Sequence, residues 1–217
     1  MSTIKDYNIV IVEDDTLSRF TLKKMIHLKN NKYVSADFDN AEDCIKHIKD
    51  NQVDLIIMDA SLPNMNGIEA SKAIKNINPD IKIIILTPET SEANIINTLL
   101  AKADGYFIRD FKQDNLQKVI SYTMDGHGGI DKRMQFSLFN YINKLPNNIY
   151  SEFTGTLTSN ESKYITLTIN GFSKSEIAKH FDMPVANLYH FIYSILEKLQ
   201  SKIGFENLYQ EMKYDLC

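Results

Sequence analysis

Five times across its first 125 residues the chain alternates a short apolar or β-branched run with an amphipathic stretch, and this pattern limits the fold more than any other feature. Runs at 8–12, 33–38, 54–58, 81–86 and 105–108 read as strands. The stretches 17–28, 41–49, 68–76, 92–103 and 115–124 carry apolar residues at helical spacing. Nearly continuous apolar strands separated by helices imply a parallel sheet covered on both faces, because each crossover helix buries one side of it. The expected fold class is therefore α/β, a doubly wound (βα)5 unit on a five-stranded parallel sheet. In such a sheet, ligand chemistry belongs at the C-terminal strand ends, near the point where strand order reverses.

The second half reads differently. Glycines 126, 128 and 129 and then Pro146 interrupt the pattern, bracketing a linker over 126–153 with a possible helix at 132–145. Beyond it the spacing predicts four helices, at 158–169, 173–181, 184–200 and 207–214, so 154–217 forms an all-α unit. Thr158 with Glu161, and Ser173 with Glu176, each place a hydroxyl at a helix start and a glutamate three residues on, the signal of a capping box. Pro184 suits a first-turn position. With 217 residues, 43% hydrophobic and 24% charged, the chain has enough apolar mass for two cores and is no disordered polymer.

The two cysteines, Cys44 and Cys217, have no partner spacing for a metal or redox motif, and no run approaches the length of a membrane span. A reducing cytoplasm is the expected compartment, with no membrane partner. His27 and His47 fall on predicted helices without a ligand at metal spacing and read as solvated side chains.

Glu13 and Asp14 follow the first strand and Asp59 ends the third. If those strands are neighbours, three carboxylates converge, and the usual compensation for their repulsion is a hard divalent cation such as Mg2+. Asp59 is then placed to attack phosphorus as a carboxylate nucleophile. Thr87 ends the fourth strand and Arg109 follows the fifth, adding a hydroxyl and a cation suited to phosphoryl oxygens. Tyr106, within the fifth strand, is placed to move between exposed and buried positions as Thr87 shifts.

These blocks, Glu13 to Asp15, Asp59 through Pro63 to Gly67, Thr87, and Gly105 to Arg109, resemble the receiver signature of response regulators, whose fold is CheY-like. The resemblance implies Glu13 and Asp14 as the acidic pair, Asp59 as phosphoacceptor, Ser61 as a backbone-carbonyl ligand of Mg2+, and Thr87 with Tyr106 as the switch. It further implies a sensor histidine kinase or a small phosphodonor as partner. Two positions depart from the family pattern: Arg109 stands where the family has lysine, and Pro88 where it has a small residue. Arginine is planar and bulkier than an ammonium, and proline stiffens its loop and lacks an N–H.

The segment from Leu157 through the block at 171–178 to Leu199 is similar to the LuxR-type helix-turn-helix of the NarL/FixJ subfamily. In that fold the helix at 184–200 enters the major groove. Leu188, Ile192, Ile195 and Leu199 should face the core, leaving Asn187, Tyr189, His190, Tyr193 and Glu197 opposite. Asn187, Tyr189 and His190 are the candidate base contacts, with Lys174, Lys179, Lys198 and Lys202 for the phosphate backbone. Residues 151–217 hold six basic and eight acidic side chains, an adverse balance against phosphate, so DNA binding is expected to be weak unless a homodimer doubles the contacts. The alternative is an adaptor that acts through protein contacts of a degenerate helix-turn-helix, with Tyr189, Phe191 and Tyr193 as its aromatic surface. Candidate dimer surfaces are the helices at 92–103, 115–124 and 207–214. No catalytic triad or Gly-rich phosphate loop is present, so no further enzymatic activity is expected.

Overall fold

In a computed structural model the described residues are 7–27, 32–88, 103–109, 113–126, 129–130, 132–145 and 147–203. The helix expected at 207–214 lies outside them, as does that at 92–103 apart from Ala103. The described residues form two compact units, one ending at residue 130 and the other starting at 132.

In the first unit, strands β1 (Tyr7–Val12), β2 (Lys32–Phe38), β3 (Leu55–Asp59), β4 (Lys82–Thr87), β5 (Gly105–Ile108) and β6 (Gly129–Ile130) pair in the order β2-β1-β3-β4-β5-β6. Every pairing is parallel. Helices α1 (Thr16–His27), α2 (Ala41–Asp50), α3 (Gly67–Ile77) and α4 (Gln113–Met124) cover the sheet. Because successive strand residues point to opposite faces, Ile9, Ile11, Leu55, Ile57, Ile84 and Leu86 share one face and pack with Leu22, Ile26, Leu116 and Ile120 from α1 and α4. Val10, Val12, Ile56, Met58, Ile83 and Ile85 are buried on the other face, as are Ala41, Cys44, Ala70 and Ile74 of α2 and α3. Burial on both faces explains why the strands show no apolar–polar alternation.

The five-stranded expectation holds, with one addition. Gly129–Ile130 lies in the stretch expected to be linker, yet it pairs with β5, Gly129 standing opposite Gly105. Two residues without side chains at that register let the short strand approach where a breaker was anticipated.

In the second unit, α5 (Lys132–Lys144), α6 (Asn147–Thr154), α7 (Ser159–Ile169), α8 (Lys174–His180), a 3-10 turn (Val185–Leu188) and α9 (Tyr189–Ile203) follow one another. The linker expected over 126–153 is corrected here: α5 and α6 belong to the helical core. Met134, Leu138, Phe139 and Ile142 form a buried stripe on α5, and an apolar stripe of that kind must be covered. Phe139 meets Tyr164 of α7 edge to face, with ring centroids 5.8 Å apart. The expected helix over 184–200 is corrected too. Pro184 precedes a 3-10 turn, closed by the Asn187 amide donating to the Pro184 carbonyl, and the α-helix begins only at Tyr189. Both capping boxes are formed. Leu188, Ile192, Ile195 and Leu199 are all buried, as their spacing requires.

Gly67 ties α3 to the end of β3. Its amide donates to the Ala60 carbonyl at 3.1 Å, while a Cβ at this position would lie 2.0 Å from the Asp59 carbonyl oxygen. Only glycine admits that approach. Gly67→Ala is expected to lower the unfolding free energy by about 1–3 kcal/mol or more, because backbone has to move. Urea denaturation checks this, and an unchanged midpoint would mean that the loop yields freely.

Candidate functional site

The switch point of the sheet lies between β1 and β3, since the chain leaves β1 toward β2 and returns on the other side at β3. Val12 is in register with Met58, so Glu13 and Asp59, each one residue further on, emerge side by side. Asp59 in turn pairs with Leu86, which puts Thr87 one residue beyond. The Arg109 amide donates to the Thr87 carbonyl at 2.8 Å, bringing the end of β5 to the same edge. Four strand ends thus deliver the acidic, hydroxyl and cationic groups that the sequence singled out.

Glu13 and Asp59 are buried, Asp14 is exposed, and one carboxylate oxygen from each lies within 4.8 Å of the others. Arg109 reaches across this group. Its Nη2 donates to Glu13 Oε2 at 2.6 Å and lies 3.0 Å from Asp59 Oδ2, and its Nη1 is 3.4 Å from Ser18 Oγ. The remaining oxygens receive backbone amides: Glu13 Oε1 accepts from Asp15 at 3.3 Å and Asp59 Oδ1 from Ser61 at 3.1 Å. Burial, reinforced by the negative charge of Asp59 and only partly offset by Arg109, pushes the Glu13 carboxyl up to about 7. Such a donor set, rich in oxygen and short of positive charge, fits a hard divalent cation.

Thr87 and Tyr106 are both buried. Tyr106 sits inside the fold, with a backbone hydrogen bond to Ala103, and burial drives its phenol well above the usual range. Pro88, directly after Thr87, is exposed. Two contributors escaped the sequence reading. Asp15 caps α1, accepting the Ser18 amide at 2.7 Å. Arg19 donates from Nη1 to the Glu13 carbonyl and pairs through Nε with Asp37 at 3.3 Å, holding the β1–α1 loop. The short spacing from Asp15 to Ser18 was a legible signal for the first, whereas nothing local links Arg19 to Asp37.

In the second unit the candidate contact residues divide. Lys179, Asn187 and His190 are exposed, and Lys174 is half-buried. Tyr189 opens α9. Lys202 lies on the last turn of that helix. Lys198 is not available to phosphate: its Nζ donates to Glu161 Oε2 at 2.6 Å. Glu161 is buried and also accepts from the Ser194 hydroxyl and, at 2.6 Å, from the Thr158 amide. Burial alone would raise this carboxyl, but the bonds from Lys198, Ser194 and Thr158 outweigh it and bring it down to about 2. Phe191 is no free surface aromatic either, being stacked on Tyr164 at 5.4 Å and tilted against Phe181 at 5.0 Å.

The response regulator receiver domain family matches residues 9–121 of the chain. The transcriptional regulatory protein DesR of Bacillus subtilis is 28% identical over 195 residues, covering 90% of this chain and 91% of that protein. The RcsB response regulator of Salmonella typhimurium superposes with a TM-score of 0.60 at 21% identity, over 96% of this chain and 99% of the other. RcsB of Salmonella enterica serovar Typhimurium bound to a promoter gives 0.56 at 21% identity, over 90% and 93%. These likenesses to solved structures concern the fold.

Two outcomes follow from the geometry. The Glu13 carboxyl is raised in the folded chain, so its contribution to stability is full below about pH 4.5 and lost as pH rises toward about 7. Across pH 5 to 8.5 without metal, the melting temperature of the natural chain should therefore fall relative to Glu13→Gln and then run parallel to it; parallel curves throughout would exclude the shift. Lys198→Ala strands a buried carboxylate and is expected to lower the unfolding free energy by about 1–3 kcal/mol, a loss that a merely DNA-facing lysine would not show in urea denaturation.

Proposed function

The chain belongs to the response regulator receiver family, and from that premise we propose that it is a two-component transcriptional regulator whose receiver, residues 1–125, accepts a phosphoryl group on Asp59 and whose helical output unit binds DNA. The observation that carries this reading is the meeting of Glu13, Asp14, Asp59, Thr87 and Arg109 at one sheet edge. Glu13 and Asp14, an Asp59 oxygen and the Ser61 carbonyl would hold Mg2+, which when bound neutralises charge on the carboxylates and on phosphoryl oxygens. The Asp59 carboxylate attacks the phosphorus of a phosphohistidine on a sensor kinase, or of a small acyl phosphate. The donor's imidazole or carboxylate leaves, and an aspartyl phosphate remains. Thr87 and Arg109 then serve as hydrogen-bond donors to the phosphoryl oxygens, with buried Tyr106 beside them as the second switch residue.

On the output side Asn187, from the 3-10 turn, with Tyr189 and His190, at the start of α9, would contact base edges, while Lys174 and Lys179 would contact the backbone from α8. Lys198 leaves this set because Glu161 holds it. With so few cations, occupancy of DNA depends on a homodimer that doubles the phosphate contacts. The loss of Lys198 favours one competing reading, an adaptor that works through protein contacts.

Acetyl phosphate and Mg2+ are expected to give a slower band on Phos-tag gels for the natural chain and none for Asp59→Asn. Pull-down from lysates without cross-linking should recover DNA in an amount that falls steeply with salt. A natural chain without adduct overturns the phosphoacceptor, and protein partners recovered without DNA put the adaptor in place of the transcriptional regulator.

A further inference from the structure

Ser162, Ile165, Thr166, Ile169 and Asn170 recur three and four residues apart, so they share one side of α7 and its C-terminal end. That side is one wall of a cavity of about 370 Å3. Its other walls come from Ile142 and Asn143 of α5, Tyr150 and Thr154 of α6, and Leu157 in the connection to α7, all within the second unit. Ile142 and Ile165 are buried at its base, while Asn143, Tyr150, Ser162, Thr166 and Asn170 are exposed around its mouth.

Among the described residues no charged side chain lines this cavity, although 24% of the chain is charged. The two charged residues of α7 are engaged elsewhere: Glu161 holds Ser194 and Lys198, and the Lys163 ammonium lies 5.3 Å from the centre of the Phe181 ring. A helix row that faces only water ordinarily carries charge, and serine and threonine are weak helix formers, so neither solvation nor helix stability accounts for this wall. The Thr154 and Thr166 hydroxyls donate to the Tyr150 and Ser162 carbonyls at 2.8 and 2.9 Å, which leaves their oxygens to accept from a guest. A charged guest would leave water for a site with no counter-charge. A helix is too large, since one turn, about 10 Å across and about 5.4 Å high, fills roughly 400 Å3. A second protein surface needs about 20 residues or more a side. The volume instead suits a small molecule, whose sites span roughly 300–1,000 Å3.

We propose that the helical unit holds a binding site between α5, α6 and α7 for an uncharged small molecule with an apolar body and at least one hydrogen-bond donor. Ile142, Leu157, Ile165 and Ile169 receive the apolar body, and the threonine oxygens receive the donor. The site stands on α7, the helix whose Glu161 is tied to α9, and on a different unit from the carboxylates of the sheet edge. The output unit thereby has a chemical input of its own.

The test is fluorescence titration of the full chain with N-phenyl-1-naphthylamine, an uncharged aromatic amine with one N–H. Its sulfonated analogue, 8-anilinonaphthalene-1-sulfonate, adds a negative charge to the same frame and is titrated beside it. Expected are saturable binding of the amine at one site per chain, affinity about tenfold or more weaker for the sulfonate, and backbone amide NMR shifts centred on 142–170. Thr166→Trp and Ser162→Trp, which fill the cavity from exposed positions, should each weaken the amine about tenfold or more. Phe136→Ser and Phe172→Ser, which remove exposed rings outside the cavity, should leave it unchanged. Equal or tighter binding of the sulfonate overturns the uncharged class of ligand. Binding that does not saturate, shifts centred on Phe136 or Phe172, or full affinity in a folded tryptophan variant overturns the site. Should both tryptophan variants unfold, the position of the NMR shifts in the natural chain decides alone.

Discussion

Burying two carboxylates at one sheet edge is the constraint around which the first unit is arranged. A parallel sheet whose strand order reverses between β1 and β3 forces Glu13 and Asp59 together, and neither can reach bulk water to relieve the repulsion. Every nearby departure from plain βα geometry answers this demand. Asp15 and Ser61 turn their amides back onto the acids, Arg19 braces the loop from behind, and Gly67 lets the chain pass close over the Asp59 carbonyl. Arg109 supplies the positive charge from a strand three positions away from β1 in the sheet.

Much of this was legible in the sequence, for a physical reason: a doubly wound parallel sheet buries both faces, so its strands announce themselves as unbroken apolar runs and its chemistry must follow their ends. Asp59 after 54–58, Thr87 after 81–86 and Arg109 after 105–108 needed only that rule. What was not legible was the pairing of individual oxygens. That Arg109 departs from the family lysine is plain in the sequence, yet its meeting with Oε2 and Oδ2, while loop amides take Oε1 and Oδ1, is a matter of three-dimensional placement.

The helical unit shows the converse. Local signals were strong, and both capping boxes formed where the hydroxyl–glutamate spacing put them. Long-range consequences were hidden. Glu161 reads locally as a cap, but Ser194 and Lys198, one turn apart on α9, converge on the same carboxylate. The stripe of Met134, Leu138 and Ile142 was visible too, but the glycines before it and Pro146 after it pointed to a linker, and only the presence of Tyr164 opposite Phe139 makes α5 part of a core.

Each unit is thus built around one buried glutamate answered by a cation from a distant element, and the two differ in a way that separates scaffold from site. Glu161 collects an amide, a hydroxyl and an ammonium, and these overcome the cost of burial so completely that its carboxyl falls to about 2. It has nothing left to bind. Glu13 has one long amide contact and a share of a guanidinium that also serves Asp59, and its carboxyl rises to about 7. A buried acid that the fold itself leaves short of positive charge is unstable as architecture and useful as a binding group, because the missing charge can arrive with a ligand. By that criterion the Glu13 and Asp59 edge is suited to taking up a cation, whereas Glu161 is suited to tying α7 to α9.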